Sequence, residues 1–295
     1  MGANLKEVRE RITSVNSTQQ ITKAMKMVSA SKLRRAQQAI QQLRPYANKL
    51  NAMLTNILSN LEGDASTAFG QEREIENALM VVVTSNRGLC GAFNTNVIKA
   101  AVHTMNTKFK DAKSVKVLCI GKKGFDYFKR RLPAEQIVSD HVEIFNDLSF
   151  DNIAAVATSL MEAFASKEYD AIEVAYGRFK NAGMQFAESE QFLPVQKLEK
   201  EPGVSKTRAD YIFEPDKESL LEHLIPSILQ TQFQKFLLDT HASEHGARMT
   251  AMDKASENAE EMLKDLKITY NKARQEAITS ELSEIVGGAA ALEGG

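Results

Sequence analysis

The 295-residue sequence contains no tryptophan, only two cysteines, six prolines and fifteen glycines. Cys90 and Cys119 cannot build a disulfide framework, so the chain is read as one with reduced thiols that takes its stability from packing. So few breakers in so long a chain leave room for helices of unusual length. No run of about 18 apolar residues occurs, which excludes a spanning helix on the sequence pattern. The opening MGANLKEVRE has neither the apolar core of a secretion signal nor the acid-free composition of a transit peptide. Lys6 also stands where a myristoylation signal needs Ser or Thr. The expected compartment is the cytoplasm. A formal net charge of -1 lacks the excess that marks a nucleic-acid binder.

Charge is nevertheless unevenly placed. Residues 1–50 hold ten Lys or Arg against two acids, Glu7 and Glu10. From Lys23 to Arg44 there are six basic residues and no acid. Such a block contacts an acidic protein, lies solvated, or binds nucleic acid. No aromatic residue is interleaved before Tyr46, so base stacking has no support.

Hydrophobic periodicity divides the chain in three. Residues 4–60 read as mostly helix with one proline, Pro45. Leu5, Val8, Ile12 and Val15 follow the 3-4-3 spacing of a coiled-coil seam. The register blurs at Thr18–Gln20, and the apolar pattern continues through Ile21, Met25 and Val28, then Leu50, Met53, Leu54 and Leu58. Residues 62–76 are polar and read as a linker. Ala78–Thr84 (ALMVVVT) is a continuous apolar run, as in a strand buried on both faces. A helix is expected near residues 92–110, a second strand at Val115–Ile120, a short helix within 122–131 and a weak third strand at Gln136–Val142. A further helix is expected at 150–167, begun by Ser149 or Asp151, then a strand at Ala171–Tyr176. Asn181-Ala182-Gly183 is a hairpin signal leading into Met184–Gln196. Strands alternating with helices predict an α/β domain with a mainly parallel sheet and one antiparallel edge.

Residues 197–210 read as a charged loop. Pro215–Asp216 then opens a second long helix, which Pro226 could kink. Its stripe is Met249, Met252, Ala255, Ala259, Met262, Leu266, Ala273 and Ala277. Neither long helix can bury its stripe alone, so the two pair antiparallel. The C-terminal helix is the longer and overshoots, leaving Ile278, Leu282, Ile285 and Val286 in need of a partner.

Several motifs invite chemistry. His241-Ala242-Ser243-Glu244-His245 matches H-x-x-E-H, with both His on one helical face. Glu257, Glu260 and Glu261 lie farther along the same helix, which cannot fold back to supply a third ligand, so the pattern reads as structural. Ser85-Asn86-Arg87-Gly88-Leu89-Cys90-Gly91 follows a strand and precedes a helix, a place where phosphate can bind. It lacks a G-x-G-x-x-G or Gly-Lys-Ser/Thr pattern and reads as a structural turn. Gly121-Lys122-Lys123-Gly124 is treated alike.

Three segments carry a resemblance. They are Ile21-Thr22-Lys23-Ala24-Met25-Lys26-Met27-Val28 with Ser31-Lys32-Leu33-Arg34-Arg35-Ala36; Thr84-Ser85-Asn86-Arg87-Gly88-Leu89-Cys90-Gly91; and Tyr270-Asn271-Lys272-Ala273-Arg274-Gln275 with Ile278-Thr279-Ser280-Glu281-Leu282 and Glu284-Ile285-Val286-Gly287-Gly288-Ala289. Arg248-Met249-Thr250-Ala251-Met252 fits as well. From Leu5 to Leu292 the chain resembles the γ subunit of F-type ATP synthases. Asn86 departs from the Asp expected there, and Ala92-Phe93 from a Gly-Leu pair. No inserted dithiol segment of the chloroplast kind is present, so no redox control is implied.

The resemblance implies a fold and a role. The fold is a long antiparallel coiled coil of the two chain ends with an inserted Rossmann-like α/β domain: residues 1–60, 75–200 and 210–292. The role is that of a central rotor that couples c-ring rotation to ATP synthesis or hydrolysis in the α/β hexamer and regulates ATPase activity and proton flow, without chemistry or cofactor of its own. Implied partners are the α and β subunits, the ε subunit with δ as a further candidate, and the c ring. The implied place is the cytoplasmic face of a bacterial plasma membrane, held peripherally. Lys23, Met25, Lys26, Arg274, Gln275 and Thr279 would meet β, Lys23 and Lys26 facing outward towards an acidic β loop. Arg34, Arg35, Arg44, Tyr211 and Glu214 would lie at the foot near the c ring. Ile285, Val286 and Leu292 would form a bearing tail. The rival reading is an enzyme built on the α/β domain with helical arms for oligomerisation.

Overall fold

A computed structural model of the chain describes residues 5–59, 69–70, 73–195 and 217–293, with side chains at all of these except 51–52, 54–59, 217–223 and 290–293. Most of the expected 62–76 linker, the 197–210 loop, Tyr211, Glu214 and the Pro215–Asp216 helix start lie outside the described residues, as does the side chain of Leu292. The chain forms two compact units, Met1–Ser29 with Met249–Gly295, and Ala30–Arg248.

Two helices supply the ends of the chain. Helix α1 runs Leu5–Ser59 and helix α5 runs Lys217–Glu293, 55 and 77 residues, with Pro45 and Pro226 inside them rather than ending them. In the first unit they pair antiparallel. Arg9 Nη2 donates to Tyr270 Oη at 2.9 Å, Thr22 and Ser256 hydroxyls meet at 2.7 Å, and Lys26 Nζ pairs with Asp253 Oδ1 at 2.5 Å. The partner number on α5 falls as that on α1 rises, and the register holds across all three contacts.

The seam differs in detail from the apolar pattern. On α1 the less exposed positions from Leu5 to Ser29 alternate by three and four, with Met25 half-buried beside them: Leu5, Val8, Ile12, Val15, Gln19, Thr22, Lys26 and Ser29. Polar residues therefore keep the register across 19–29 instead of blurring it. Ile21 and Val28, expected in the stripe, are each 59% exposed, and Met27 is 68% exposed. On α5 the matching series is Met252, Ser256, Ala259, Leu263, Leu266, Tyr270 and Ala273. Met262, expected in the stripe, faces solvent, and Leu263 takes its place. The period of 3.5 decides the seam, and hydrophobicity alone does not.

The second unit is built around a five-stranded sheet. Strands β1 (Asn77–Val83), β2 (Ser114–Ile120), β3 (Ile137–Val138), β4 (Ala171–Asn181) and β5 (Met184–Leu193) lie in the order β3-β2-β1-β4-β5. All pairs are parallel except β4–β5. The expected strand at 136–142 contracts to two residues, because the chain turns away through short helical turns after Val138. Helices α2 (Phe93–Thr107) and α3 (Lys122–Phe128) share one apolar core with Met80, Val82, Val117 and Cys119. Helix α4 (Phe150–Ala165) and residues 225–237 of α5 share the other with Leu79, Val81, Val83, Leu118 and Ile120. Successive strand residues alternate between the two cores, which is why β1 reads as a continuous apolar run.

Candidate functional site

In a doubly wound sheet, ligands bind where neighbouring strands send their connections to opposite faces. Here that point lies at the carboxyl ends of β1 and β4. It is filled by the protein itself. The last β1–β4 pair is Val82 with Ala175, and β4 continues to Asn181. Beyond Ala175, the Gly177 N–H donates to Thr240 Oγ1 at 3.2 Å, and the Gly177 carbonyl accepts from Ser243 Oγ at 2.9 Å. Gly177 is required by this approach. A Cβ there would come within 2.5 Å of Phe93 Cε2 and 3.2 Å of Ser243 Cβ. A glycine inside a strand-like run is the sequence sign of such an approach. Nothing in the sequence pattern points to Thr240 or Ser243.

One turn on, Arg248 fastens the loop after β1. Its Nη2 donates to the Arg87 carbonyl at 3.0 Å, its Nε to the Gly88 carbonyl at 3.3 Å, and its Nη1 pairs with Glu244 Oε1 at 2.7 Å. Two more polar groups of the loop are committed. Asn94 Oδ1 accepts from the Ser85 N–H at 2.9 Å, and Asn86 Oδ1 accepts from the Lys122 N–H at 3.1 Å. The glycines of Gly121-Lys122-Lys123-Gly124 serve packing. Gly121 has φ of 90°, and a Cβ there would lie 2.0 Å from the Thr84 carbonyl oxygen. Both segments are turns that hold β1, β2 and α5 together.

The H-x-x-E-H residues make a buried network. His245 Nδ1 accepts from Arg248 Nη1 at 3.3 Å, which leaves its proton on Nε2, 3.1 Å from His241 Nε2. Phe145 stacks on His241 at 6.1 Å between ring centroids. Burial, then the positive groups Lys32 and Arg248, pushes His241 down to about 4. Burial, then His241, Arg248 and Lys32, pushes His245 down to about 3. Glu244 is raised, burial outweighing the attraction of Arg248. Glu244 is thus held by Arg248 beside two neutral imidazoles in a positive field. Among the described residues no group of three or more His, Cys, Asp or Glu could hold a metal ion.

A second polar group lies nearby. Asp239 is buried and raised to about 6, mainly by burial, with Lys235, Arg44 and Arg178 pulling it down and Glu190 pushing it up. The Tyr176 hydroxyl bonds Glu190, and Arg178 Nε pairs with Glu188 at 2.7 Å.

The residues singled out from the sequence are dispersed along the two helices. Lys23, Arg34, Arg35 and Arg44 are exposed on α1, and Met25 is half-buried. Lys26 does not simply face outward. It occupies a seam position and reaches Asp253, because the 3-4 register carries it there. Arg274, Gln275 and Thr279 are exposed on α5, with Thr279 Oγ1 donating to the Gln275 carbonyl at 2.9 Å. Among the described side chains Ala273 is the last buried one of α5, and those from Arg274 to Ala289 are all exposed. Ile278, Leu282, Ile285 and Val286 stand among them, Ile285 at 67%. No helix among the described residues is long and apolar enough to cross a membrane.

Comparison with known proteins places this architecture. A family model described as ATP synthase matches residues 4–292. The chain is 54% identical over 292 residues to the ATP synthase gamma chain of Flavobacterium johnsoniae, covering 99% of this chain and 100% of that protein. It is 53% identical over 293 residues to the gamma chain of Cytophaga hutchinsonii, covering 98% and 99%. Among solved structures it resembles a chain of the Euglena gracilis mitochondrial ATP synthase OSCP/F1/c-ring assembly, with a TM-score of 0.65 and 22% identity over 98% of this chain and 94% of that one. A chain of the Tetrahymena thermophila central stalk and c ring matches with a TM-score of 0.55 and 22% identity, over 80% and 99%. At that identity the structural likeness speaks to the fold alone.

Proposed function

Since the chain belongs to the ATP synthase γ chain family, we propose that it is the central rotor of an F-type ATP synthase and that its work is mechanical coupling. The paired helices α1 and α5 form an asymmetric shaft in the bore of the α/β hexamer. The α/β domain and foot rest on the c ring, with ε alongside. Ion-driven rotation of the ring turns the shaft, and its changing face drives each β subunit through its nucleotide states. The chain binds no nucleotide productively and catalyses nothing itself. It sits peripherally at the cytoplasmic face of the membrane.

The observation that carries this reading is the end of α5. Sixteen described residues, 274–289, extend past the last buried seam position with four large apolar side chains exposed. Bare apolar surface of this kind needs a partner, and a collar formed by the hexamer supplies one. Ile285, Val286 and Leu292 are the bearing in this scheme. Lys23, Met25, Lys26, Arg274, Gln275 and Thr279 meet β. The pair Lys26–Asp253 is 41% and 46% exposed, so it is worth about 0–1 kcal/mol and can exchange for a passing carboxylate. Arg34, Arg35, Arg44, Tyr211 and Glu214 serve the foot.

Reconstitution tests the proposal. The purified chain should hydrolyse no ATP, and mixing it with α and β should restore hydrolysis to an otherwise inactive mixture. ATPase activity in the isolated chain, or an α–β assembly indifferent to its addition, would overturn it.

A further inference from the structure

We infer that Thr240 and Ser243 key the long helix to the sheet and bear the torque that passes from the α/β domain into the shaft. The inference rests on the rotor reading above. A rotor needs a place where helix and domain cannot slip. Most of the contact between α5 and the sheet is apolar: Leu229, Phe233, Phe236 and Leu237 share the core beneath β1 and β4. Apolar contact is strong but non-directional, so it resists separation better than rotation of the helix about its axis.

The contact at Gly177 is directional. Strand β4 outruns β1 after Ala175 while β5 stays paired on its other edge to Asn181. Gly177, on the edge that β1 has vacated, needs partners for its N–H and carbonyl. Thr240 accepts from the one and Ser243 donates to the other, and both residues are fully buried. At a spacing of three they share one face of α5. Two bonds of opposite sense to one residue, through its N–H and its carbonyl, fix both the rise and the rotation of the helix at that point. The Phe93 ring and Ser243 Cβ both crowd the position a Cβ on residue 177 would take, so only glycine lets strand and helix meet this closely.

The test uses the assembled complex in membranes. In Thr240→Val with Ser243→Ala the shape is nearly kept and both hydrogen bonds are lost. The Gly177 amide should then exchange with deuterium about 30-fold faster, which corresponds to about 2 kcal/mol for two net hydrogen bonds. ATP hydrolysis should stay close to the parent rate while ions pumped per ATP fall. Thr240→Ser alone, which keeps the hydroxyl, should restore pumping when paired with native Ser243. An unchanged pumping-to-hydrolysis ratio despite faster exchange would overturn the inference. So would a proportional loss of assembly, hydrolysis and pumping, which is what a merely structural role gives. Hydrolysis undiminished in complexes lacking the chain altogether would count instead against the rotor reading.

Discussion

At the scale of single residues, the second unit carries two acid–base features of opposite sign. Asp239 is raised from 3.8 to about 6. A carboxyl whose folded pKa lies above its unfolded value binds its proton more tightly in the folded state. Its stabilising share is therefore complete below about pH 4 and is lost as pH rises through 6, at a cost approaching about 3 kcal/mol by pH 8. Asp239→Asn should raise the stability of the isolated chain at pH 8 and change little at pH 4, as read by urea denaturation at both. Equal effects at the two pH values would assign the gain to something other than the charge. His241 and His245 run the other way. Their pKa values are lowered to about 4 and 3 by burial, so the folded state binds fewer protons than the unfolded one. Stability is full above about 6.5 and falls as pH drops toward 4. His245→Gln can still accept from Arg248 and donate to His241, and it removes one titrating ring. The decline in unfolding midpoint between pH 6.5 and 4 should become shallower in this variant.

At the scale of elements, what the sequence revealed follows from which force sets each element. The sheet was legible because buried parallel strands need apolar residues on both faces, and Ala78–Val83 and Val117–Ile120 supply them. The edge strand β3 was not, since two residues carry no period. The coiled-coil seam was half legible. Leu5, Val8, Ile12 and Val15 announce it, but Gln19, Thr22, Lys26 and Ser29 continue it with polar side chains, while Ile21 and Val28 project outward. A reader who follows hydrophobicity steps off the register at Thr18. Thr22 and Ser256 show why the polar stretch is tolerated: one hydroxyl donates to the other across the seam, and the one that accepts donates to a carbonyl of its own helix. The docking of α5 was hidden because Thr240 and Ser243 are ordinary helix residues until the strand peptide beside them is known. The outward Ile21 and Val28 lead to a prediction. Replacing both by Gln should leave the unfolding free energy of the isolated chain within about 0.5 kcal/mol, as surface changes do. It should weaken assembly with α and β, measured by co-purification. A loss of stability in the free chain would put these residues back in the seam.

At the scale of the whole molecule, the two helices differ in length by 22 residues, 55 against 77. In the antiparallel pairing seen at Arg9–Tyr270 and Lys26–Asp253, the end of α5 past Ala273 stays exposed among the described residues. That segment cannot owe its helix to packing within the chain, and long single helices are marginal without packing. Its stability therefore depends on what surrounds it, and the proposed collar has a measurable consequence. Each large aliphatic side chain buried on assembly contributes about 1.5–3 kcal/mol, and a charge placed there loses that and adds desolvation. Ile285→Asp with Val286→Asp should leave the melting of the isolated chain unchanged, because both side chains are already in solvent. Association with α and β should fall by at least about a hundredfold, from the loss of two such side chains. The decisive comparison is Thr279→Ala, which alters a polar contact on the same helix and should weaken assembly far less. If the two variants weakened assembly equally, the end of α5 would be held by polar contacts along its length and not by an apolar bearing at its tip.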